Sequence, residues 1–529
     1  MTELIHDLLI RQAQRTPTNP ALRSGGAEWS YQTLADAVQS AAAHYLDLGL
    51  ARGDRVAVYL DKRPETVIAL FGAAAAGGVF VPVNPLLKAE QVAHILGDCN
   101  VRILVTSADR LALLRPVLPH CPDLQTILIV GKLADEAIPN AIPVIGWDAP
   151  IPITAFKPHQ VIDGDVAAIL YTSGSTGRPK GVVLSHRNLV GGAVSVASYL
   201  DNQPDDRILS VLPLSFDYGL SQLTTAFRVG ACTVLMNYLL PRDVIRTVAR
   251  ERITGLAAVP PLWIQLAELD WPETVGEHLR YLTNSGGAMP GATLANLRAK
   301  LPQTKPFLMY GLTEAFRSTY LPPEDIDRRP GSMGKAIPNA EILVVREDGS
   351  PCAPGEPGEL VHRGVHVALG YWNDVEKTAE RFKPAPGQPA GLPIPEIAVW
   401  SGDTVTLDAD GYLYFVGRRD EMIKTSGYRV SPTEVEEVVY ATGQVAEVAA
   451  LGVTHPVIGQ AVVLVTFALD NGEAISAALL AACQAQLPMF MLPARIIARQ
   501  EPLPRNPNGK IDRKRLALEL ADLFEDAAR

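Results

Sequence analysis

Residues 171–181 read Tyr171-Thr-Ser-Gly-Ser-Thr-Gly-Arg-Pro-Lys-Gly181 and form the most informative segment of the chain. They follow the apolar run Val166–Leu170, which we expect to be a buried strand. They precede Ser185, a residue type that favours the N-cap of a helix. One side of that helix would carry Leu189, Ala193, Ala197 and Leu200. A strand, a glycine-rich loop and a helix in this order predict a phosphate-binding loop.

Three kinds of group in this loop suit phosphate oxygens: backbone N–H groups freed by glycines, side-chain hydroxyls and one ammonium group. The glycines are Gly174, Gly177 and Gly181, the hydroxyls belong to Thr172, Ser173, Ser175 and Thr176, and the ammonium belongs to Lys180. The loop is not a Walker A motif, because no Gly-Lys-Ser/Thr sequence ends it. A surface loop rich in serine and glycine is the alternative for this segment taken alone.

Length and composition predict a globular protein of more than one domain. The chain has 529 residues, 47% hydrophobic and 20% charged, which exceeds the usual size of one hydrophobic core. The net charge of −10, without a long basic run, argues against a nucleic-acid-binding surface. The five cysteines are widely spaced and lack a Cys-x-x-Cys pair, which disfavours a disulfide framework or a structural zinc site.

The longest apolar region, Ile68–Val83, is too short and too interrupted for a membrane span. The interruptions are Gly72, Gly77, Gly78 and Pro82. The first residues lack a cationic stretch followed by an apolar core, so no secretory signal is predicted. We therefore expect a cytoplasmic protein with no membrane partner.

The first 415 residues alternate helical periods with short apolar, β-branched runs. Glu65–Ala76 predicts a helix, while Arg55–Leu60, Arg102–Thr106 and Thr126–Val130 predict buried strands. This alternation favours an α/β body built of several mainly parallel sheets with flanking helices.

A domain boundary is predicted close to Asp420. The Gly/Pro-rich region Lys383–Pro395 precedes Trp400-Ser-Gly-Asp403, and a strand at Gly411–Val416 ends at Gly417-Arg-Arg-Asp420. We therefore expect a large body over residues 1–419 and a small α+β domain over 420–529.

The small domain begins with a recognisable helix start. Ser431 suits the N-cap, Pro432 the first helical position and Glu434 the third position of a capping box. Val435, Val438 and Val439 would form the apolar face of this helix. Val445–Val453 then predicts a strand.

The loop at residues 171–181 resembles the signature of the adenylate-forming superfamily, which includes acyl-CoA synthetases, amino-acid adenylation domains and firefly luciferase. Further segments resemble other signatures of this family, in its order and over nearly the whole chain. They are Tyr310-Gly-Leu-Thr-Glu314, Gly358-Glu-Leu360 with Gly370-Tyr371, Trp400-Ser-Gly-Asp403, Gly417-Arg-Arg-Asp420, Lys424-Thr-Ser-Gly427, Leu487-Pro-Met-Phe-Met-Leu-Pro493 and Pro504-Arg-Asn-Pro-Asn-Gly-Lys-Ile511. The resemblance implies a ligase that uses ATP to adenylate a carboxylic acid and then transfers the acyl group to a thiol.

The resemblance also implies roles for individual residues. Displacement of pyrophosphate by a carboxylate needs cations and fixed donors around the phosphate. Thr313 would contact the α-phosphate and Glu314 would hold Mg²⁺, while Lys510 would bridge the substrate carboxylate and the α-phosphate. Asp403 would accept the ribose hydroxyls, and Arg418, Tyr310 and Gly311 would add contacts to the nucleotide. The alternatives are a solvated Glu314, a turn-forming Asp403 and an exposed Lys510.

Two residues near the domain boundary match positions that serve the second half-reaction in the family. Asp420 matches a hinge about which the small domain rotates between two poses. Gly427 would line the channel of the thiol, although a turn glycine is an equally good interpretation.

The acid pocket of this family comes from three stretches, here Leu212–Gln222, Asn284–Met289 and Tyr310–Ser318. The candidate pocket residues are Phe216, Asp217, Ser285, Gly286, Gly287 and Arg317. Phe216-Asp217 is similar to amino-acid adenylation enzymes, in which this aspartate pairs with the substrate α-ammonium. A carboxylate at an apolar pocket calls for a cation. As alternatives, Asp217 caps the following helix or faces water, and Arg317 pairs with Asp217 or binds a second substrate carboxylate.

The thiol acceptor is expected to come from another molecule, because little sequence follows Lys514. We favour the phosphopantetheine arm of a separate carrier protein, with coenzyme A as the alternative. Segments Leu212–Leu223 and Phe307–Pro322 also resemble AMP-forming ligases associated with exosortase systems. A non-catalytic nucleotide-binding protein is the alternative of a different class. Lys180, Glu314, Asp403 and Lys510 together argue against it.

Overall fold

The structure is a computed structural model that describes residues 3–132, 142–149, 157–172, 179–389, 391–418, 421–425, 428–455, 458–468, 473–487, 489–506 and 509–524. Its helices are α1 Asp7–Arg15, α2 Tyr31–Asp47, α3 Pro64–Ala76, α4 Ala89–Asp98, α5 Ala108–Leu114, α6 His186–Tyr199, α7 Asp217–Val229, α8 Pro241–Glu251, α9 Pro260–Glu268, α10 Gly291–Lys300, α11 Val375–Arg381, α12 Pro432–Tyr440, α13 Glu473–Gln486 and α14 Arg513–Glu519. The predicted helix at residues 65–76 is confirmed as α3.

The strands form three sheets. Strands up to residue 185 are β1 Pro20–Ser24, β2 Ala27–Ser30, β3 Arg55–Tyr59, β4 Val79–Pro82, β5 Val101–Thr106, β6 Thr126–Ile129, β7 Val144–Gly146, β8 Val166–Thr172 and β9 Lys180–Ser185. The next are β10 Arg207–Ser210, β11 Cys232–Leu235, β12 Gly255–Ala258, β13 Tyr281–Asn284, β14 Lys305–Tyr310, β15 Thr319–Leu321, β16 Ser332–Ala336, β17 Ala340–Val345, β18 Gly358–Gly364, β19 Phe382–Pro384, β20 Ile397–Leu407 and β21 Leu413–Arg418. The last are β22 Ile423–Thr425, β23 Tyr428–Val430, β24 Val445–His455, β25 Gly459–Ala468 and β26 Arg495–Arg499.

A seven-stranded sheet in the order β7-β6-β5-β3-β4-β8-β9 forms one layer of the large body. Its strands pair in parallel except for β8 and β9. Helices cover the central strands of this sheet. Strand residues such as Val56, Leu104 and Ile127 therefore have almost no exposed surface. The strands predicted at residues 55, 102 and 126 are confirmed here.

The second sheet of the body has fourteen strands, and the direction in which its strands pair changes from one part of the sheet to the other. Strands β10 to β14 run parallel, as predicted, whereas the pairs that β15 to β21 make are antiparallel. Parallel pairs need a crossover of a dozen or more residues, usually a helix. Within residues 319–364, all of which the structure describes, no α-helix lies between β15 and β16 or between β17 and β18, and each of these pairs is antiparallel.

The predicted order of strand, glycine-rich loop and helix is wrong in one respect. Residues 180–185 form strand β9, which pairs antiparallel with β8 so that Thr172 lies opposite Lys180. The loop therefore joins two strands, and α6 begins only after β9. Its start is as predicted, because Ser185 Oγ accepts the N–H of Asn188. Antiparallel pairing along β8 satisfies the backbone of the apolar run 182–184, which the sequence alone leaves unassigned.

The small domain holds a five-stranded sheet, with β24 and β25 paired over most of their length. Ser431 Oγ accepts the N–H of Glu434 at the start of α12, and Val435 and Val439 are buried, as predicted. Within α12, the carboxylate of Glu436 accepts two hydrogen bonds from Arg513, at 2.6 and 2.7 Å. Within the described residues, no helix has both the length and the apolar character needed to cross a membrane.

Candidate active site

The carboxyl ends of parallel strands position the acid-pocket candidates. Strands β10, β12, β13 and β14 end at Ser210, Ala258, Asn284 and Tyr310. Because these neighbours run parallel, the segments after them open on the same edge of the sheet. Ligands bind at such edges in α/β proteins. This arrangement brings together three stretches that lie within about a hundred residues of sequence but are not adjacent along the chain.

Every predicted site residue that the structure describes lines one large cavity. They are Thr172, Lys180, Phe216, Asp217, Ser285, Gly286, Gly287, Tyr310, Gly311, Thr313, Glu314, Arg317, Asp403, Arg418 and Lys510. The predicted residues Ser173, Gly174, Ser175, Thr176, Gly177, Asp420 and Gly427 lie outside the described residues. The cavity lies between the large body and the small domain, since both contribute to its lining.

Asp217 accepts hydrogen bonds from two side chains of the neighbouring loop. Thr313 Oγ1 donates to its Oδ1 at 3.2 Å, and Arg317 Nη1 donates to its Oδ2 at 2.7 Å. The Arg317 side chain is 2% exposed and lies over the Tyr218 ring, 4.7 Å from its centroid. The structure therefore contains the Asp217–Arg317 pair, one of the alternatives that the sequence left open.

The capping alternative for Asp217 is wrong. The N-cap of α7 is Phe216, and Asp217 is the first helical residue. A carboxylate in the first turn is favoured by the partial positive charge of the helix N-terminus. Asp217 keeps 16% of its side-chain surface exposed, on the cavity side.

Tyr371 links two residues predicted to act on phosphate and metal. Its hydroxyl donates to Glu314 Oε1 at 2.6 Å, and Lys180 Nζ lies 5.5 Å from the centre of its ring. Burial lowers the pKa of Lys180, and burial together with Glu314 raises the pKa of Tyr371. Tyr371 belongs to the signature Gly370-Tyr371, which by itself predicts no role for the tyrosine.

Glu314 fits the magnesium role that the resemblance implies. It lies in the short 3₁₀ turn Thr313–Ala315 and lines the cavity beside Thr313. A carboxylate oxygen is the ligand type that Mg²⁺ prefers, together with phosphate oxygens and water. The Tyr371 hydrogen bond orients this carboxylate at the cavity wall, where Glu314 would hold the ion.

Asp403 lies within strand β20, so the prediction of a Gly-Asp turn at this position is wrong. Gly402, with φ of 72°, bends the strand, and Ser401 Oγ accepts the N–H of Asp403. Asp403 accepts the hydroxyl of Tyr310 and lies 3.2 Å from Arg418 Nε. Burial raises the pKa of Asp403, while Arg418 opposes that shift.

Pairing of β20 with β21 places Arg418 beside Asp403. The two residues are opposite each other in the antiparallel ladder, next to an irregularity at Thr404 and Val405. A buried carboxylate needs such a partner, because an unpaired charge away from water is costly. The tyrosine and arginine around Asp403 form a polar site that suits vicinal hydroxyls.

Lys510 extends from the small domain into the same cavity. Its Cε lies 3.8 Å from the position that a methyl group on Gly286 would take. Lys510 itself is exposed to solvent in the cavity, although many protein atoms lie around its ammonium. Burial and the nearby Arg418 lower the pKa of Lys510, whereas Asp217 and Asp403 oppose the shift.

The loop that carries Lys510 is braced by two residues that the sequence analysis did not assign. Arg505 Nη1 donates to the Gly509 carbonyl at 2.7 Å, and Arg505 also pairs with Glu447. The Asn506 N–H donates to the Lys510 carbonyl at 2.8 Å, and the Lys510 N–H donates back to Asn506 Oδ1. Local hydrogen bonds of this kind fix the position of a catalytic side chain on a loop.

Comparison with known sequences agrees with this geometry. The family described as AMP-binding enzyme matches residues 9–372, and the AMP-binding enzyme C-terminal domain matches residues 434–510. The L-proline–[L-prolyl-carrier protein] ligase of Streptomyces coelicolor is 32% identical, over 97% of this chain and 96% of that protein. A linear gramicidin synthase of Brevibacillus parabrevis is 30% identical over 97% of this chain, which spans only 10% of that protein.

Solved structures of similar shape contain adenylates and nucleotides. The anthranilate CoA ligase AuaEII in complex with anthranoyl-AMP has a TM-score of 0.86 and 25% identity, covering 100% of this chain and 98% of its own. The o-succinylbenzoate coenzyme A synthetase of Bacillus subtilis in complex with ATP and magnesium has a TM-score of 0.80 and 26% identity, covering 96% and 98%. The present chain belongs to the AMP-binding enzyme family and is an adenylate-forming ligase.

Proposed function

We propose that this ligase adenylates a small amino or imino acid and transfers it to the phosphopantetheine thiol of a separate carrier protein. The observation that carries the proposal is the convergence of Lys180, Thr313 and Lys510 on one cavity that also exposes Asp217. The proposed domains, residues 1–419 and 420–529, each contribute to that cavity.

The cavity residues supply what the adenylation step requires. A carboxylate oxygen of the substrate attacks the α-phosphorus, the phosphorus–oxygen bond to pyrophosphate breaks, and negative charge builds up on the phosphate oxygens. Lys510 and Thr313 bind these oxygens, and Lys180 with residues 173–177 binds the outer phosphates. Bound Mg²⁺, held by Glu314, supplies positive charge to the phosphate oxygens. Asp403, with Tyr310 and Arg418 around it, accepts the ribose hydroxyls.

Asp217 supports an acid that bears an ammonium group. A carboxylate has about four acceptor positions, and Thr313 and Arg317 occupy two of those on Asp217. The remaining positions face the cavity, where a substrate ammonium would bind beside the carboxylate that Lys510 holds. The similarity to the prolyl-carrier ligase supports both the amine and the carrier acceptor.

A second candidate is a coenzyme A ligase for an acid without an amine. It is favoured by the Asp217–Arg317 pair, because Arg317 already neutralises the carboxylate that would otherwise call for a substrate cation. The fold shared with the anthranilate CoA ligase is compatible with this candidate. The resemblance to exosortase-associated ligases does not discriminate between the two.

Pyrophosphate exchange with matched pairs of acids separates the candidates. Each pair would share its shape and differ in the amine. Examples are proline with cyclopentanecarboxylate, in which a ring CH2 replaces the N–H, and valine with 3-methylbutanoate, which lacks the amino group. Exchange with only the amine-bearing members supports the proposal, whereas exchange with only the plain acids rejects it. The preferred acid is then offered with coenzyme A or a phosphopantetheinylated carrier protein, and thioester formation is measured by mass spectrometry.

The Lys510→Ala variant tests the predicted catalytic lysine. Removal of the ammonium is expected to lower the exchange rate by about two orders of magnitude or more, since each lost charge contact to a transition state is worth that much. ATP binding, measured by calorimetry, is expected to remain. Lys335→Ala is the control, because Lys335 is exposed and lies over the Tyr412 ring, away from the cavity lining. Undiminished exchange in Lys510→Ala would reject the catalytic role.

A further inference from the structure

Lys62 lies in the segment between β3 and α3 and does not line the active-site cavity. Its Nζ donates to the carbonyl oxygens of Val211 at 2.5 Å and Leu212 at 3.2 Å. These residues open the segment 211–217, which we call the acid loop and which carries Phe216 and Asp217. The lysine therefore holds the acid loop by its first two peptide groups.

The backbone of Lys62 makes a second, reciprocal attachment. Its N–H donates to Asn237 Oδ1 at 3.2 Å, and Asn237 Nδ2 donates to its carbonyl at 2.8 Å. Asn237 follows β11, and the nearby Leu240 and Pro241 line the cavity. One residue that follows strand β3 of the seven-stranded sheet thus ties together two loops at the ligand-binding edge of the fourteen-stranded sheet.

Among the residues that the structure describes, no carboxylate forms an ion pair with the Lys62 ammonium. Burial lowers the pKa of Lys62 to about 7, opposed by Asp61. The Asp61 carboxylate is already paired with Arg110 of α5, at 2.8 Å. Segments 211–215 and 235–240, which pack against the lysine, contain no charged residues. A buried cation in such a place is costly, and the two carbonyls offset that cost.

We propose that Lys62 is a positioning residue that sets the acid loop for substrate binding through the carbonyls of Val211 and Leu212. This inference rests on the proposed function, because it takes residues 211–217 to contact the acid. The nucleotide candidates Lys180, Glu314 and Asp403 belong to other segments. Loss of the lysine should therefore weaken binding of the acid more than binding of ATP.

The test is the Lys62→Met variant, which keeps the length of the side chain but removes the donors. Its matched control is Lys300→Met, since Lys300 Nζ also donates to two carbonyls, of Ala267 at 2.6 Å and Leu269 at 2.9 Å, at the end of α9. We expect the KM for the acid to rise about tenfold in Lys62→Met, as for the loss of a hydrogen bond from a charged group. The KM for ATP should change less than about twofold, and Lys300→Met should leave the KM for the acid unchanged.

If Lys62→Met does not fold, the Lys62→Arg variant provides a second test, the pH dependence of the KM for the acid. Because the wild-type ammonium loses its proton as pH rises through about 7, its hold on the carbonyls weakens and the KM for the acid should rise between pH 6 and 8. An arginine stays charged, so this rise should be absent in Lys62→Arg.

Several results would overturn the inference. They are an unchanged KM for the acid in Lys62→Met, equal changes in the KM for the acid and for ATP, equal effects of Lys62→Met and Lys300→Met, or the same pH profile in Lys62→Arg as in the wild type. Failure of the proposed function looks different, because the wild-type protein itself would then exchange pyrophosphate with only the plain acids or with no acid at all.

Discussion

The charges around Lys510 would match its ammonium to a phosphate site. The ammonium is near three carboxylates, those of Asp217, Asp403 and Glu421, and near the positive Arg418. The carboxylates stabilise the ammonium while no phosphate is bound, whereas burial and Arg418 destabilise it. A phosphate would add negative charge and favour the ammonium further, so the lysine is suited to bind where charge accumulates.

The lowered pKa of Lys510 predicts an alkaline limit for adenylation. As pH rises through this lowered pKa the ammonium is lost, so kcat/KM for pyrophosphate exchange should fall at a pH below the ordinary pKa of a lysine. The Lys510→Arg variant stays charged, and its residual activity should lack this alkaline fall. Rates measured from about pH 7 to 10.5 decide the matter. If wild type and Lys510→Arg lose activity over the same alkaline pH range, a group other than Lys510 causes the fall.

Single residues were partly predictable. The sequence placed Asp217 at the acid pocket and left open whether Arg317 pairs with it, because the two are separated by 100 residues along the chain. Tyr371 was quoted within a signature, yet its contact with Glu314 depends on the return of residues 365–372 across β9. Lys62 carries no local signal at all, since its partners lie on loops of another sheet.

At the scale of elements, the first turn of α7 is packed directly on the acid loop. A methyl group on Gly219 would lie 2.0 Å from the carbonyl oxygen of Pro213, a backbone atom that has no rotamer to change. Glycine is therefore required at this position by close approach. The contact couples the position of α7, and thus of Asp217 at its start, to the shape of the loop.

The Gly219→Ala substitution should both destabilise the protein and disturb the acid site. Forcing the helix away from the loop is expected to cost about 1–3 kcal/mol, as for other overpacked sites, and the KM for the acid should rise. Gly276→Ala is the control, because nothing lies within 4 Å of its added methyl group and its φ is not positive. Denaturant unfolding and exchange kinetics measure the two effects. A variant with wild-type stability and wild-type KM would contradict the packing argument.

Helices and buried strands were predictable where apolar residues follow one period over several residues, as in α3, β3 and β5. The β8–β9 hairpin and the strand position of Asp403 were not. Short apolar runs beside glycines are compatible with a loop or with a strand, and only the presence of a partner strand decides between them. The antiparallel order of β15 to β21 likewise depends on which edges remain available for pairing.

For the whole molecule, the central feature is that two separately folded units contribute to one cavity. The small domain supplies Lys510, and the large body supplies the acid loop and the nucleotide residues. Residue 420, the predicted hinge, lies outside the described residues, and its role stays a prediction. Rotation about it would let the same cavity serve adenylation and then thiol transfer.

An Asp420→Pro variant tests this prediction. Proline restricts the backbone rotation that a hinge requires, so the substitution should affect one half-reaction more than the other. We expect pyrophosphate exchange to remain within a few-fold of wild type and thioester formation to fall by about tenfold or more. Asp420→Ala is the matched control, because it removes the carboxylate but leaves the backbone free, and both activities should persist. Equal loss of both half-reactions in Asp420→Pro would argue against a hinge.

The sequence by itself determined the family, the α/β class and the chemical groups of the nucleotide site, because those features depend on residue types at fixed local spacing. Only the tertiary structure decided that Arg317 neutralises Asp217, that Lys62 holds the acid loop and that Lys510 lies opposite Gly286. These contacts join residues far apart in the chain, so they exist only once packed sheets bring the loops to a common edge. Side-chain hydrogen bonds reach about 3 Å, and no local pattern specifies which distant partner will come within that distance.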